Sequence, residues 1–478
     1  METLQRTANR GSISTGYEIG NSYKNENDNA EKMTHTYDSA PTSQKKGTIS
    51  MWFKRTEVGS NIGLFQFGDD ASGNYVSLRW GRDIYGSLET YGMRIGGTNF
   101  SVGNTYGAVR DTSAFYHVVV AIDTTQATAT NRFKVYRNGA ELEWSTDNRS
   151  SITQDADLAI GENGKDAIIG EGVYRYNGYI AEVNYVDGQQ LTSTDFGEYD
   201  EDSGIWKPKE YTGTYGNNGF YLDFSNASNL GEDQSGNNHD FSLTNITSAN
   251  QATDTPTNNF CTFNPLSPSV PTYNTVSEGG TQMNSLGNAW TTVWSSVALF
   301  KGKWYAEFKR TATNNVFIGA GGIDSNLHYF NLNYVGNNGN GTTFSVGLYS
   351  LNGDFYSGTG TTGSSYATND ILCLAVDQDN GAIYFRKNND AWMGDGTNAG
   401  NPASGASKTG AQIIDWGTAT VLAASIYSSG DTVQANFGGY TSFSNSTSYS
   451  DELGMGSFVY EPPASYLAIC SKNLAEYG

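Results

Sequence analysis

The sequence predicts an all-β protein with two antiparallel β-sandwich, jelly-roll-like domains in tandem. Two separate stretches, 115–139 and 370–389, repeat one pattern: an apolar run, an acidic turn, an alternating run and an Asn-rich turn. That pattern is typical of a β-hairpin. The chain contains 57 glycines and 13% aromatic residues, a composition that favours turns and strands over helices.

The remaining strands follow from alternating apolar residues between turn signals. In 47–55, for example, Ile49, Met51 and Phe53 alternate with polar or amphipathic neighbours, as expected of a strand with one buried face. In the first domain we predict strands over 47–55, 62–67, 75–80, 92–95, 116–122, 132–136, 158–160, 179–185 and 219–224. In the second we predict strands over 303–308, 316–320, 344–348, 370–377, 382–389, 420–426 and 433–437. Their short, regular spacing is typical of a sandwich or jelly roll.

Composition also suggests the domain boundaries. Residues 1–45 are polar and uneven, which is typical of an N-terminal arm or anchor that orders against a partner. The first sandwich then covers 46–263. Three of the nine prolines fall close together after residue 264, so we predict a Pro-rich linker over 264–282. The second sandwich, with a C-terminal tail, covers 283–478.

Charge excludes some partners. The chain has 28 Lys and Arg against 49 Asp and Glu, a net charge of −21. Because a field of this sign repels phosphate backbones and anionic lipid, we expect no nucleic-acid partner. No apolar run is long enough to span a bilayer, so we expect no membrane insertion. The 31 tyrosines suit surfaces and interfaces, where an aromatic ring with a polar end is favoured.

The three cysteines, Cys261, Cys373 and Cys470, are odd in number and widely spaced, with no CxxC pair. We interpret them as buried small hydrophobic residues rather than disulfide or metal ligands. That fits assembly in a reducing compartment. The N-terminus has no apolar h-region, so no signal peptide is expected.

The first domain resembles the laminin-G/concanavalin-A-like jelly roll. The resemblance is carried by Thr-Ile-Ser-Met-Trp-Phe-Lys-Arg at 48–55, by the 115–139 hairpin and by Tyr-Asn-Gly-Tyr-Ile-Ala-Glu-Val at 176–183. In the hairpin, Phe115-Tyr116 stands where the family often has Trp. The resemblance covers roughly residues 45–250 and implies a β-sandwich whose relatives include lectins and glucanases.

The second domain resembles the SPRY (B30.2-like) sandwich. The matching segments are Gly-Lys-Trp-Tyr-Ala-Glu-Phe at 302–308, Ile-Gly-Ala-Gly at 318–321, the 370–389 hairpin and Val-Gln-Ala-Asn-Phe-Gly at 433–438. Asn389 replaces the usual glycine. This resemblance covers roughly residues 285–460.

The tandem, with segments 196–260 and 460–474, is similar to virion proteins of marine bacteriophages, although Ser465 stands at a usual glycine. The resemblance implies a tail-fibre, receptor-binding or capsid-decorating structural protein, assembled in the host cytoplasm and located in the virion. It further implies host attachment, with other virion proteins and host surface glycan as partners. A homo-oligomer is expected, with a trimer favoured by the same resemblance.

We predict no catalytic residues, no cofactor and no enzymatic activity. A glycoside hydrolase needs two carboxylates facing each other across the bond. Glu182 and Asp187 are an odd number of residues apart, which puts them on opposite faces of a strand, and we interpret Glu182 as a strand-end polar residue. Asp377 and Asp379 are interpreted as turn acceptors. A carbohydrate-binding lectin and a polysaccharide-degrading hydrolase of concanavalin-A-like fold remain the alternatives.

A calcium site is the one metal site considered. Residues 233–238 resemble the Asp-x-Ser-Gly-Asn turn that some laminin-G-like domains use for metal, which makes Asp233 and Asn237 candidate ligands. The other interpretation is a turn rich in Asx side chains. The four histidines, His35, His117, His239 and His328, lack zinc-ligand spacing. We interpret His117 as a strand-end residue.

Overall fold

The computed structural model describes residues 16–478 except 27–28, 58–61, 70–73, 81–90, 96–97, 103–108, 110, 145–146, 148, 171–175, 202, 268–269, 271, 312–314, 324–333, 338–343, 357–361, 415–416 and 444–447. The described parts are nearly all strand and turn, which confirms the all-β prediction. Helix α1 is Ser471–Tyr477. Within these ranges, no helix is long and apolar enough to cross a membrane. The chain divides into two compact units, Met1–Asn258 and Asn259–Gly478.

The strands of the first unit form two large antiparallel sheets and one small pair. They are β1 (Ser22–Asn25), β2 (Lys32–Thr36), β3 (Lys46–Arg55), β4 (Ile62–Asp69), β5 (Asn74–Trp80), β6 (Tyr91–Ile95), β7 (Thr98–Val102), β8 (Tyr116–Asp123), β9 (Phe133–Arg137), β10 (Ala140–Glu141), β11 (Asp166–Ile169), β12 (Gly178–Asp187), β13 (Gly197–Tyr199), β14 (Trp206–Pro208), β15 (Phe220–Leu222), β16 (Ser242–Thr244) and β17 (Gln251–Ala252). The first sheet runs β10-β9-β8-β3-β12-β1-β17, with β15 also paired to β12. The second runs β16-β2-β11-β4-β5-β6-β7, and β13 pairs with β14.

The core of the first unit lies between these two sheets. Ile49, Met51 and Phe53 of β3 are buried in it, as the alternation predicted. The opposite face of the first sheet is also covered, because Val119 and Val186 pack in a second cluster against the segment that follows β12. The central strands are therefore buried on both faces, which explains why they read as long apolar runs.

The structure differs from the sequence prediction at the N-terminus. Part of the region predicted as an arm forms β1 and β2, and Tyr23 and Met33 are fully buried in the core. Apolar residues separated by polar ones in these short strands give too weak a pattern to detect against an Asn-rich background. Residues 1–15 of the predicted arm lie outside the described residues. The strand predicted over 158–160 is a turn instead.

The second unit is also a pair of sheets. Its strands are β18 (Asn274–Ser277), β19 (Gln282–Ser285), β20 (Thr291–Trp294), β21 (Lys303–Arg310), β22 (Val316–Gly322), β23 (Ser345–Tyr349), β24 (Phe355–Tyr356), β25 (Ile371–Asp377), β26 (Ala382–Lys387), β27 (Gln412–Ile413), β28 (Thr420–Ile426), β29 (Thr432–Asn436) and β30 (Leu467–Ala468). One sheet runs β18-β19-β29-β21-β25-β26-β27, with β30 parallel to β21. The other, the five-stranded sheet, runs β20-β28-β22-β23-β24.

The segment 264–282, predicted as a linker, contributes β18 and the start of β19 to the second unit. β18 pairs with β19, and Val276 and Met283 pack in the core. The prolines precede these strands rather than replacing them, so the Pro-rich signal marks only the approach to the sheet. Cys261, Cys373 and Cys470 are buried, as expected of small hydrophobic residues.

Candidate functional site

Strand β12 contains a β-bulge between Ala181 and Asn184. At the bulge, Glu182 has a φ of 55°, a left-handed conformation that costs a non-glycine residue about 1 kcal/mol or more and is common at functional sites. Its interpretation as a strand-end residue is wrong, because Glu182 lies in the middle of the strand. The extra residue at a bulge re-aims side chains. Here Val183 enters the core, while Glu182 meets tyrosines from distant parts of the chain.

The Glu182 carboxylate is only 6% exposed. The Tyr17 hydroxyl donates to Oε1 at 2.6 Å, and the Tyr221 hydroxyl donates to Oε2 at 3.1 Å. The two hydroxyl oxygens are 2.9 Å apart. Burial raises the pKa of Glu182 to about 7 even though the tyrosine hydrogen bonds lower it, and nearby Asp223 and Glu210 raise it further.

Further tyrosines extend this group across the sheet surface. The Tyr215 hydroxyl donates to Asn184 Oδ1 at 2.7 Å. The rings of Tyr215 and Tyr221 are stacked, with centroids 6.2 Å apart and planes 7° apart. Tyr211 meets Tyr215 edge-on at 5.2 Å. All of these rings are partly exposed. We call the following set the tyrosine site: Tyr17, Glu182, Asn184, Tyr211, Tyr215 and Tyr221.

Close backbone packing brings the tyrosine site together. Strand β15 pairs with β12 next to the bulge, so Tyr221 lies opposite Asn184. Just before β15, a Cβ on Gly219 would lie 2.0 Å from the Tyr215 carbonyl oxygen and 2.6 Å from that of Tyr185. Only glycine allows this approach. Tyr215 and Tyr221 are therefore held over β12 by the chain path between them.

The other carboxylates considered from the sequence have structural roles. Asp187 accepts hydrogen bonds from the backbone amides of Thr42, Ser43 and Asn218. Along β12, Val183 and Tyr185 enter the core and Asp187 continues that alternation. Glu182 contacts tyrosines on the other face, so the two carboxylates do not form a facing pair. Asp377 accepts from the amide of Asn380.

Asp379 accepts from the amide of Gly302 at 2.8 Å. The interpretation as a turn acceptor is confirmed for Asp377, whereas Asp379 accepts from a segment 77 positions away in sequence rather than from its own turn.

The candidate calcium ligands lie in a turn whose acceptors are already used. Asp233 Oδ1 accepts from the amides of Tyr221 and Ser235, and Oδ2 accepts from the Ser235 hydroxyl and the His239 amide. The Asn237 side-chain amide donates to the carbonyls of Gly216 and Gly219. Four donors occupy the Asp233 carboxylate, so these residues do not fit a calcium site in this conformation. The contacts favour the Asx-turn interpretation, and calcium binding stays a prediction.

Metal-binding residues are not clustered elsewhere in the described ranges, where no group of three or more His, Cys, Asp or Glu is placed to hold an ion. The fold does bring His35 and His239 together, with ring centroids 4.8 Å apart, a proximity that their separation in sequence hides.

We expect the substitution Asp233→Asn to lower the free energy of unfolding by about 2 kcal/mol, because an amide nitrogen would face hydrogen-bond donors. The loss should be equal in EDTA and in millimolar calcium, as measured by thermal unfolding. Asp223→Asn is a matched control, since Asp223 is partly exposed and accepts from the neighbouring Ser225 amide. If calcium instead raises the melting temperature of the wild type but not of Asp233→Asn, calcium binds at this turn.

Comparison with known proteins agrees with the architecture. A family model described as the concanavalin A-like lectin/glucanases superfamily (Laminin_G_3) matches residues 27–195. The matched residues lie within the first unit, which is similar to that superfamily over this segment. No curated protein matches the sequence significantly.

Solved structures similar to the chain include the SPRY domain of human HERC1, at 15% identity and a TM-score of 0.25, covering 33% of this chain and 89% of that one. A native heptameric SAP-like pentraxin from Limulus polyphemus is similar at 13% identity and a TM-score of 0.28, covering 37% and 81%. A candidate carbohydrate-binding protein from Bacteroides ovatus is similar at 16% identity and a TM-score of 0.33, covering 48% and 59%. Likenesses at this level carry no conclusion about function.

Proposed function

We propose that the protein binds carbohydrate without cleaving it, and that the tyrosine site is where a saccharide binds. The observation that carries this proposal is the partly exposed group of stacked tyrosines around Glu182 and Asn184. Aromatic rings pack on the C–H faces of sugars, and tyrosine hydroxyls hydrogen-bond sugar hydroxyls. Glu182 and Asn184 are buried and hold these tyrosines in place through hydrogen bonds. Charged, amide and aromatic groups converge here on one sheet face of a concanavalin A-like domain.

The strain at Glu182 supports binding rather than mere packing. A bulge and a left-handed glutamate in the centre of a ten-residue strand both lower stability. Their effect is to present one carboxylate to Tyr17 and Tyr221. Strained backbone conformations of this kind cluster at catalytic and ligand-binding sites.

We further propose that this binding serves host attachment by a bacteriophage virion, with the protein acting as a tail-fibre, receptor-binding or capsid-decorating component. The support is the sequence resemblance of the tandem, including the 460–474 ending. Mass spectrometry of purified phage particles tests this placement. We expect peptides of the chain in intact particles, and their absence from particles produced by cells that make the protein would overturn it.

Binding at the tyrosine site is tested by Tyr215→Ala, with Tyr199→Ala as the matched control because Tyr199 is 52% exposed in the same unit. On a glycan array, we expect Tyr215→Ala to bind the recognised glycan at least tenfold more weakly, because a stacking ring and a hydroxyl contact are lost. Tyr199→Ala should bind like the wild type. Equal binding by all three proteins, or no glycan bound by the wild type, would contradict the proposal.

A hydrolase is the second candidate, and one observation favours it. Burial raises the pKa of Glu182 to about 7, a value suited to a general acid in glycoside hydrolysis. A hydrolase also needs a second carboxylate across the bond, and Asp187 does not provide one. Incubation with host polysaccharide separates the two candidates: release of reducing sugar by the wild type but not by Glu182→Gln would establish the hydrolase and overturn non-catalytic binding.

A further inference from the structure

The second unit carries an aromatic surface on the face of its five-stranded sheet that points away from the core. Strand residues alternate across this sheet, so Ile318, Leu348 and Phe355 enter the core. Their neighbours on the strands form a separate cluster on the opposite face. Aromatic members of that cluster come from four of the five strands and their flanks: Trp290, Trp294, Phe317, Tyr334, Tyr349 and Tyr356.

The centre of this surface is a stack of three nearly parallel rings. Phe317 lies between Tyr334 and Tyr349, with centroid distances of 4.3 Å and 4.5 Å and interplanar angles of 9° and 14°. Phe317 and Tyr349 are register partners on β22 and β23. Phe317 is buried, whereas the two tyrosines at the ends of the stack are partly exposed.

The backbone holds Tyr334 in this stack. The amide of Val335 donates to Ser425 Oγ at 2.9 Å, and the amide of Gly336 donates to Ser345 Oγ at 2.8 Å. A Cβ on Gly347 would lie 2.3 Å from the Val335 carbonyl oxygen, so glycine is required for the segment to lie this close to β23. The ring arrangement is therefore built into the fold rather than set by mobile side chains.

Trp290 and Tyr427 extend the surface at its edge. The Trp290 ring is 5.1 Å from Phe317, 5.0 Å from Tyr334 and 5.5 Å from Tyr427. Tyr427 is 37% exposed. We define the outer aromatic face by its partly exposed rings: Trp290, Tyr334, Tyr349, Tyr356 and Tyr427.

We propose that the outer aromatic face binds the pyranose faces of a neutral polysaccharide, as a second saccharide site independent of the tyrosine site. Each of its partly exposed rings is Trp or Tyr, which combine a flat apolar face with a hydrogen-bond donor. The surrounding polar groups that the structure describes include the uncharged Asn288 and Asn315, and Asn315 Oδ1 accepts from the Tyr349 hydroxyl.

Charge selects the ligand class. An acidic polysaccharide would meet a protein of net charge −21, and among the described residues the five rings of the face include no cation to pair with it, so a neutral chain is favoured. Tyr and Trp are enriched at protein interfaces as well, where Met and Arg accompany them, whereas the polar groups described at this margin are the amides of Asn288 and Asn315. Sugars instead need rigid, flat rings with hydroxyl groups at their margins, which is the composition observed.

The test measures binding of the full chain to immobilised neutral polysaccharides (cellulose, xylan and laminarin) and to acidic alginate, in a Tyr215→Ala background that removes the tyrosine site. We expect residual binding to a neutral polysaccharide and none to alginate. Adding Tyr427→Ala or Trp290→Ala should weaken that binding at least tenfold. Tyr449→Ala, at a residue 41% exposed in the same unit, should leave it unchanged.

Tyr427→Ala keeps the test decisive if Trp290→Ala unfolds, because Tyr427 lies at the exposed edge; circular dichroism checks both variants. The inference is overturned if the Tyr215→Ala protein binds no neutral polysaccharide, if alginate binds equally, or if Tyr427→Ala has no effect. It is also overturned if light scattering shows a dimer that Tyr427→Ala dissociates, since the face would then bind a second copy. If Tyr215→Ala loses binding to the array glycan, that result tests the tyrosine site and the proposed function. It does not test the second site on the outer aromatic face.

Discussion

Replacing Glu307 with alanine is expected to lower the free energy of unfolding of the second unit by about 3–5 kcal/mol. Glu307 is fully buried on β21. Its Oε2 accepts from the amide of Val459 and the side chain of Asn436, and its Oε1 accepts from the amide of Tyr460 and the hydroxyl of Tyr305. Removing the carboxylate takes the acceptor from two buried and two partly buried donors. Guanidinium unfolding measures the loss.

Glu307→Gln and Glu461→Gln are the informative companions to this change. In Glu307→Gln an amide nitrogen would face two donors, so we expect most of the loss to persist although the shape is kept. Glu461 is exposed, and its substitution should change stability by no more than about 0.5 kcal/mol. Hydrogen exchange should show faster exchange at Val459 and Tyr460 in both Glu307 variants. Wild-type protection there would contradict this role for Glu307.

Acid is expected to destabilise the first unit through His117. The ring is stacked between Trp52, at 4.6 Å and 17°, and Trp206, at 5.9 Å and 21°. Trp206 Nε1 donates to Nδ1 at 3.0 Å, and Ser50 Oγ lies 2.8 Å from Nε2. Burial lowers the pKa of His117 from 6.5 to about 3. The neutral ring is thus the folded form.

The sign of this effect follows from proton binding. Between pH 3 and 6.5 the unfolded chain binds a proton that the folded chain does not, so stability is full above pH 6.5 and falls as the pH is lowered. The complete effect is about 4–5 kcal/mol, with about 2 kcal/mol already lost at pH 5. Relative to the wild type, His117→Phe should gain about 2 kcal/mol of unfolding free energy as the pH falls from 6.5 to 5, as measured by guanidinium unfolding at each pH.

Glu182 works in the opposite direction over part of the same range. Its folded pKa is raised to about 7, so its contribution to stability is present at low pH and is lost as the pH rises towards 7. Because the two contributions nearly cancel between pH 5 and 6.5, the wild type should change little in that range. Glu182→Gln is therefore the control for His117→Phe: the Glu182 variant should lose stability as the pH falls, whereas the His117 variant should gain it. Parallel pH curves for wild type and His117→Phe would contradict the assignment to His117.

The fold was largely predictable because the alternation of apolar and polar residues along a strand indicates which of its faces is buried. The pattern at Ile49, Met51 and Phe53 predicted a half-buried face, and all three residues lie in the core. The 420–426 strand was predicted with the bounds that the structure shows. Asp377 was also assigned correctly as a turn acceptor, because turn chemistry is local in sequence, whereas the contact of Asp379 with distant Gly302 was not predicted.

The sites were not predictable, because distant segments assemble them. Tyr17 meets Glu182 across 165 positions of sequence, and the extra residue at the β12 bulge changes the direction of a side chain without any signature in the pattern. Tyr334 stacks on Phe317 because two serine hydroxyls accept hydrogen bonds from the backbone amides that follow Tyr334. The large number of tyrosines in the sequence was consistent with both proposed sites, but it did not indicate which tyrosines form them.

Strand β17 pairs with β1, matching Ala252 with Ser22 and Gln251 with Tyr23, so the first sandwich starts and finishes on neighbouring strands. A pull applied through its two ends would separate that short pairing one hydrogen bond at a time before reaching β12. Such peeling resists less tension than sliding long strands past each other, and the site at Glu182 would begin to open once β1 leaves β12.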